Sequence, residues 1–445
     1  MNRTGRCVGS LTGENTEGNL MSVELETLVG RRKLSRRSAL RLAGASLAIA
    51  GTAGLGTRRV GAQSNAEIEI ALLNSFADPA SPAMELIDAF NAKGNGVTVT
   101  GTAYGASYQD LLQKVQANIA AKIGPTLANT GWKYARFADA ALQIVDLAAV
   151  DQAKTDSLLA KYRPWVADIV RVDGKVVGLP FALSTPIIYF NRDLFTKAGL
   201  DPQVAPKTWD EAASFATALK AAGVEAPIIG GIDEWEAQSF IQNNGGFVLD
   251  AEGKAVFDSA EAIGGMAVWT GLHEAGHFAP LASDQVLPTF LGGNAGMLFT
   301  SVAALGNINA NATFEVGTGV YPATGTNPKL MPSGGNFLGL YTQDAEKQQA
   351  AFAFHDFVSS TEGVTIWNKT GYLIATNDQI EHLPGQEVGY EQMETGLTTE
   401  TIWPGARGLE ALAVFNDWVA KIVNGTVDVE SGMKDGNKAV ADLLP

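Results

Sequence analysis

His273, Glu274 and His277 stand together in the stretch HEAGH. The spacing fits H-E-x-x-H, in which two histidines one helical turn apart hold zinc and the glutamate activates a bound water. The chemistry on offer is metal-assisted hydrolysis, which requires a third protein ligand. The extended form of the motif fails because Pro280 occupies the position of its glycine and no third histidine follows. The other common arrangement needs a glutamate on a following helix. After Glu274 the next glutamate is Glu315, and only Asp284 supplies a carboxylate between them. Gly276 inside the motif and Pro280 just after it are the signals of a helix ending. HEAGH is therefore expected to be a helix terminus in a second lobe, with both histidines facing solvent.

Other catalytic arrangements are missing too. The sequence has no G-x-S-x-G elbow and no Walker loop. His355 lies in AFAFHDFVSS, an amphipathic helical pattern, and His382 in a polar stretch. Asp210-Glu211 sit where a helix begins, and its dipole accounts for them. The expectation is a protein without catalytic residues, resident metal or cofactor.

The elements that would position a binding site come from the whole chain. At 445 residues it is long enough for more than one core, since single cores stop growing near roughly 250–300 residues. Apolar residues make up 46% and charged ones 18%, a balance that argues for a folded protein. The formal net charge of −15 comes without a basic block in the body of the chain. That excludes the clustered Lys and Arg that nucleic acid binding uses. Cys7 is the only cysteine, which rules out an intramolecular disulfide.

Residues 31–62 read RRKLSRRSALRLAGASLAIAGTAGLGTRRVGA. A basic region with Arg36-Arg37 precedes a modest apolar run, and Val60-Gly61-Ala62 offers the small residues of a cleavage site. The run is too short and too rich in Gly and Ala for a membrane span. SRRSAL resembles the twin-arginine export signal, and Arg58-Arg59 fit that route better than general secretion. No cysteine follows the run, so a lipid anchor through one is excluded. An exported protein is expected, on the periplasmic or outer side of the cytoplasmic membrane, with its mature part beginning near Gln63.

From there EIEIALL (67–73) alternates as a strand does, PASPAMELIDAFNAKG (79–94) has helical spacing, and GVTVTGTAY (96–104) is strand-like again. An amphipathic helix from Tyr108 to Ile123 follows. This β-α alternation predicts an α/β fold, with mixed but mostly parallel sheets and helices on both faces. A second such system starts after residue 180, with no long linker between the two. Two lobes joined by several chain crossings are expected, with a ligand cleft between them. The expected division gives residues 1–65 to the export signal and N-terminus, 66–180 plus 303–342 to lobe 1, and 181–302 plus 343–445 to lobe 2.

LPFALSTPIIYFNRDLFTKAGLDPQVAPKTWDE (179–211) resembles the signature of the sugar-type extracellular solute-binding proteins of ABC importers, family 1. FLGGNAGMLFTSVAALGNI (290–308) and WNKTGYLIAT (367–376) follow in the family's order. The resemblance spans about residues 66–440. It implies a two-lobed periplasmic-binding-protein fold of type II that closes on a small ligand and delivers it to the permease subunits of the membrane, working as a monomer.

STP, KTGY and GARGL (405–409) are closest to the family's glycerol-3-phosphate-binding branch, in which hydroxyls, backbone amides and one arginine hold a phosphate. By that resemblance the ligand-binding residues are Tyr108, Ser184, Ser301, Gly335 of the pair Gly334-Gly335, Tyr372 and Arg407. A guanidinium with directed hydroxyl and amide donors suits a phosphate. The branch carries a glutamate for glycerol hydroxyls after its third strand, where this chain has Trp132. An indole can stack on a sugar face or a cation but cannot accept hydroxyl hydrogen bonds. Trp132 and Trp235 are thus expected ligand contacts, and Asn129, Lys133 and Asn336 lesser ones. The implied ligand is glycerol-3-phosphate, a glycerophosphodiester or a related polyol or sugar, with an oligosaccharide as the alternative.

Overall fold

Residues 66–324 and 330–445 are described by a computed structural model; the expected export signal and its cleavage point lie outside the described residues. β1 (Ala66–Leu73), β2 (Val97–Gly105) and β3 (Leu127–Gly131) alternate with the helices Pro82–Ala92 and Tyr108–Ala120. β1 runs parallel to both neighbours, with Ala66 opposite Val97 and Ile70 opposite Leu127. The small hairpin of β4 (Arg171–Val172) and β5 (Lys175–Val176) leads into β6 (Gly178–Ser184).

A second sheet then forms from β7 (Pro186–Asn191), β8 (Ala226–Gly231), β9 (Phe278–Leu281), β10 (Ala295–Ser301) and β11 (Val316–Gly319), in the order β11-β7-β10-β8-β9. β12 (Met331–Leu340) and β13 (Leu397–Thr399) return to the first sheet, ordered β13-β12-β3-β1-β2 with β6 also on β12. In these two sheets antiparallel pairing is confined to strands beside a crossing: β7 with β10 and β11, and β12 with β3 and β6. β6 and β7 are buried at every position, which is why GLPFALS and PIIYFN read as near-continuous apolar runs.

The crossing from the first sheet to the second is a single residue, Thr185, between the end of β6 and the start of β7. Sheet membership also divides the chain differently from the expected boundaries. β11 belongs to the second sheet, within the stretch 303–342 expected in the first lobe. The helix Ala345–Val358 packs on β1 of the first sheet, with Phe354 edge-on to Phe90 at 5.2 Å. Later in the chain, the helix Glu387–Gly396 packs on β7, and the helices Gly408–Val423 and Val429–Ala441 pack against the helix Ala260–Glu274. Strand character is a local property of a run; the sheet it joins is decided by pairing partners far away in sequence.

The second lobe is centred on a ring stack. Trp209 lies 4.7 Å from Phe240, and Phe240 lies 5.1 Å from Trp269 with a 2° interplanar angle. Stacked aromatic pairs add about 0.5–1.5 kcal/mol beyond their buried area.

HEAGH closes the helix Ala260–Glu274. Gly276 has φ +66°, the left-handed conformation that favours glycine. Its N–H donates to the carbonyl of His273 at 2.8 Å, and the N–H of His277 donates to Leu272 at 2.9 Å. Those two bonds make a Schellman stop. Both histidines are engaged: His273 Nδ1 donates to the carbonyl of Phe278 at 2.9 Å, and His277 Nε2 lies 3.1 Å from the Thr217 hydroxyl. Among the described residues no group of three His, Cys, Asp or Glu is placed to share a metal. None of the described helices is long and apolar enough to cross a membrane.

Candidate functional site

Each residue of the cleft is held by a local device. Ser107 caps the helix Tyr108–Ala120 in a reciprocal box with Asp110, which fixes Tyr108 at its first position. Asp233 caps the helix Glu234–Asn243 by accepting from the N–H groups of Trp235 and Glu236 at 3.0 and 2.9 Å. That turn presents Glu234 and Trp235 at the carboxyl end of β8. Ser184 ends β6 and Ser301 ends β10, where Ser301 pairs with Pro186 just past the Thr185 crossing. Ser301 Oγ accepts from the N–H of Ala303, which leaves its hydroxyl proton free to donate.

These elements converge on a cavity of about 200 Å³ between the two sheets. Tyr108, Lys133, Ser184, Gly335, Tyr372 and Glu400 line it from the first sheet and its attachments, Trp235 and Ser301 from the second. Behind Tyr108 runs a chain of amides. Asn129 Nδ2 donates to Asn336 Oδ1 at 2.6 Å, and Asn336 Nδ2 donates to the Tyr108 hydroxyl oxygen at 2.8 Å. Tyr372 stacks on Trp367, with ring centroids 5.4 Å apart. Burial pushes the Tyr372 phenol up to about 12, and burial followed by the neighbouring Tyr372 raises that of Tyr108. Both phenols therefore enter the cavity as neutral hydroxyls.

Gly335 adopts φ +147°, and a Cβ there would lie 2.0 Å from the carbonyl oxygen of Ala182. At Gly334 a Cβ would meet the Ser184 hydroxyl at 2.7 Å and the Trp235 ring at 2.9 Å. The glycine pair therefore lets the indole lie close on β12. The indole N–H of Trp235 is buried without a partner among the described residues.

Among the described residues one cation lines the cavity. Lys133 Nζ pairs with Glu234 and lies 3.3 Å from Glu400. The three side chains are 14%, 6% and 5% exposed. Burial works against a charged Lys133, but Glu400 and its other neighbours outweigh it and raise its pKa. Glu400 is also held above the usual carboxylate range, chiefly by burial, with Lys133 opposing.

Six of the eight expected ligand residues line this cavity: Tyr108, Ser184, Trp235, Ser301, Gly335 and Tyr372. Trp132 does not. The chain leaves β3 into a single 3-10 turn, and there Lys133 turns to the cavity while Trp132 is fully buried behind Gly335. Arg407 does not either. It opens the helix Gly408–Val423 as an exposed residue, and its guanidinium makes a bidentate pair with Glu410 at 2.8 and 2.9 Å. A carboxylate three residues ahead on the same helix claims the fork. Of the lesser candidates, Lys133 lines the cavity, while Asn129 and Asn336 hold Tyr108.

Glu400 escaped the sequence reading. It lies in the irregular segment between β13 and the last helices, where no periodicity marks a face. The only local signal is an acidic residue within the apolar and hydroxyl run GLTTETIW.

The family profile described as bacterial extracellular solute-binding protein matches residues 85–387. The chain belongs to that family. Among curated relatives, this solute-binding protein is 29% identical over 243 residues to the sn-glycerol-3-phosphate-binding periplasmic protein UgpB of Escherichia coli, a match covering 51% of this chain and 55% of the relative. The chain thus spans about half the length of the curated relatives it matches. The solved structure of UgpB from Mycobacterium tuberculosis in complex with glycerophosphocholine has a TM-score of 0.73 at 19% identity, covering 84% of this chain and 97% of that one. The cyclic alpha-maltosyl-1,6-maltose binding protein from Arthrobacter globiformis has a TM-score of 0.70 at 21% identity, covering 85% and 98%. At such identities these structures share the fold.

Proposed function

We propose that this solute-binding protein captures a polyhydroxylated small molecule, a sugar or polyol, in the Tyr108–Ser301 cavity and delivers it to the permease of an ABC importer. The observation that carries this reading is the convergence of four hydroxyls from both sheets, of Tyr108, Ser184, Ser301 and Tyr372, on one cavity with Glu400 and Trp235. Hydroxyl donors, a carboxylate acceptor and an aromatic face are the complement of a sugar ring. Glu400 supplies the acceptor that Trp132 cannot. Contacts from both lobes favour the closed form over the open one, and this difference in affinity drives closure. The reading includes export by the twin-arginine route, action as a monomer and no catalytic step.

A phosphorylated polyol or a glycerophosphodiester is the second reading. It is supported by the 29% identity to the glycerol-3-phosphate-binding protein and by the Trp235 indole, which could stack against an ammonium. Against it stands Arg407, engaged by Glu410 outside the cavity.

A thermal-shift panel on the mature chain separates them, using glycerol, glucose, maltose, trehalose, glycerol-3-phosphate and glycerophosphocholine. A ligand at a hundredfold its Kd adds about 2.7 kcal/mol. The sugar reading expects a neutral compound to shift the melt, with the shift lost in Tyr108→Phe. A shift from phosphate esters alone would establish the second reading.

A further inference from the structure

The charged groups on the cavity wall are Lys133 and Glu400, with Glu234 on Lys133 from the opposite lobe. Two carboxylates and one ammonium leave an excess of negative charge when all are ionised. Among the described residues no second cation lines the cavity: Arg407 is outside the lining and occupied by Glu410. Both glutamates are almost wholly buried, so bulk water screens them little. A phosphate monoester or carboxylate entering the cavity would have to take Lys133 from two partners and settle beside the Glu400 carboxylate. Like charges brought together out of water repel strongly, and a buried carboxylate stripped of its cation is costly. A neutral polyol meets no such opposition, since its hydroxyls donate to Glu400 and accept from Ser184, Ser301 and the phenols.

We propose that Glu400, acting with Glu234 through Lys133, is the charge filter of this cleft: it admits hydroxyl-rich ligands that are neutral or carry an amine, and excludes phosphate monoesters and carboxylates. The proposal rests on the ligand-cavity reading above and narrows it to a charge class. Lys133, on this view, is a clamp on the two acids and not a phosphate receptor. Its pair with Glu234 runs from the turn after β3 to the helix after β8, so the filter is complete only when the two sheets are together.

The test uses titration calorimetry with inorganic phosphate and with the pairs glycerol and glycerol-3-phosphate, glucose and glucose 1-phosphate. The wild-type protein is expected to show no phosphate binding and to bind neither phosphate ester more tightly than its parent polyol. Glu234→Gln combined with Glu400→Gln frees Lys133 and is expected to gain at least tenfold in phosphate affinity. Adding Lys133→Met should abolish that gain. Wild-type preference for a phosphate ester over its parent would overturn the proposal, and needs no variant to fold. So would a double variant that keeps its circular dichroism spectrum yet gains no phosphate affinity. Failure of the underlying cavity reading has a different signature: a bound sugar whose affinity is unchanged by Tyr108→Phe and Ser301→Ala, whatever the phosphate result.

Discussion

Asn336 donates to the Tyr108 hydroxyl oxygen at 2.8 Å, which ties a residue of the central strand β12 to the first turn of a helix on the cleft wall. Because that oxygen already accepts, the phenol proton is left to point elsewhere. Asn336→Leu removes the donor and also strands the Asn129 amide, which is buried. The expected cost is about 1–3 kcal/mol for the unsatisfied group, read by urea denaturation. Ligand affinity should fall roughly tenfold, about 1.4 kcal/mol, as Tyr108 loses its fixed orientation. An unchanged affinity would remove Asn336 from the site.

Gly335→Ala should be severely destabilising. Its Cβ would stand 2.0 Å from a backbone oxygen, at a φ that side chains avoid. A loss of more than about 3 kcal/mol is expected, the exceptional range for a single substitution. Gly334→Ala presses on the Ser184 hydroxyl and the movable Trp235 ring instead. It should lower ligand affinity more than stability, as chemical denaturation and calorimetry together would show.

Glu236 is buried beside Tyr321, which donates to it, and burial lifts its carboxyl to about 8 from an ordinary 4.5. A raised folded-state value means that the native protein holds this proton more tightly than the unfolded chain does. The stabilisation is complete below pH 4.5 and is lost as pH rises toward 8. By pH 7 the loss from this group is about 3 kcal/mol. Glu236→Gln should flatten the decline. A variant with the same stability difference between pH 5 and 8 as the wild type would contradict this.

His355 acts in the opposite direction. Burial lowers it to about 3 from 6.5, so it stays neutral in the native core of the first lobe. Its contribution is present above pH 6.5 and is lost as pH falls toward 3, about 2 kcal/mol by pH 5. His355→Leu should shift the acid unfolding midpoint downward. Its Nε2 has no partner among the described residues, so no hydrogen bond to them is sacrificed there.

Gly276→Ala tests the reading of HEAGH as a helix stop. The left-handed conformation at this position costs a non-glycine residue about 1 kcal/mol, and a new Cβ would lie 2.9 Å from Lys220 Nζ. The melting temperature should fall slightly, with ligand affinity unchanged. A large effect on affinity would tie the turn to the cleft after all.

Much of this was legible because local patterns carry local structure. The alternation of EIEIALL, the helical spacing of 79–94 and the Gly276 stop all appear where their signals stand. Ser184 and Ser301 reach the cavity because strand ends beside a crossing are fixed by the ladder, and Gly335 because its pairing with Leu183 fixes the middle of β12. The residues that do not line the cavity are those released from such constraint. Trp132 sits in a 3-10 turn whose direction no two-residue period dictates, and Arg407 is an exposed helix residue free to choose Glu410. Glu400 is brought to the cavity by the pairing of β13 with β12, where Met331 opposes Leu397 across 66 positions of sequence. Nothing within a window around Glu400 encodes that partner.

The single-residue passage at Thr185 has a mechanical corollary for the closure proposed above. Were that passage the axle of the swing, Ser184 and Ser301 beside it would move little, whereas Lys133 and Glu234 reach toward each other from separate lobes. A contact at an axle has a short lever arm: it can hold a ligand through the whole swing but does little to stop the swing. A contact farther out gains and loses its full strength over a small rotation. Tenure of the ligand and the signal that the jaws have shut would then be assigned to different atoms, the serines keeping the cargo and the lysine–glutamate pair reporting the grip.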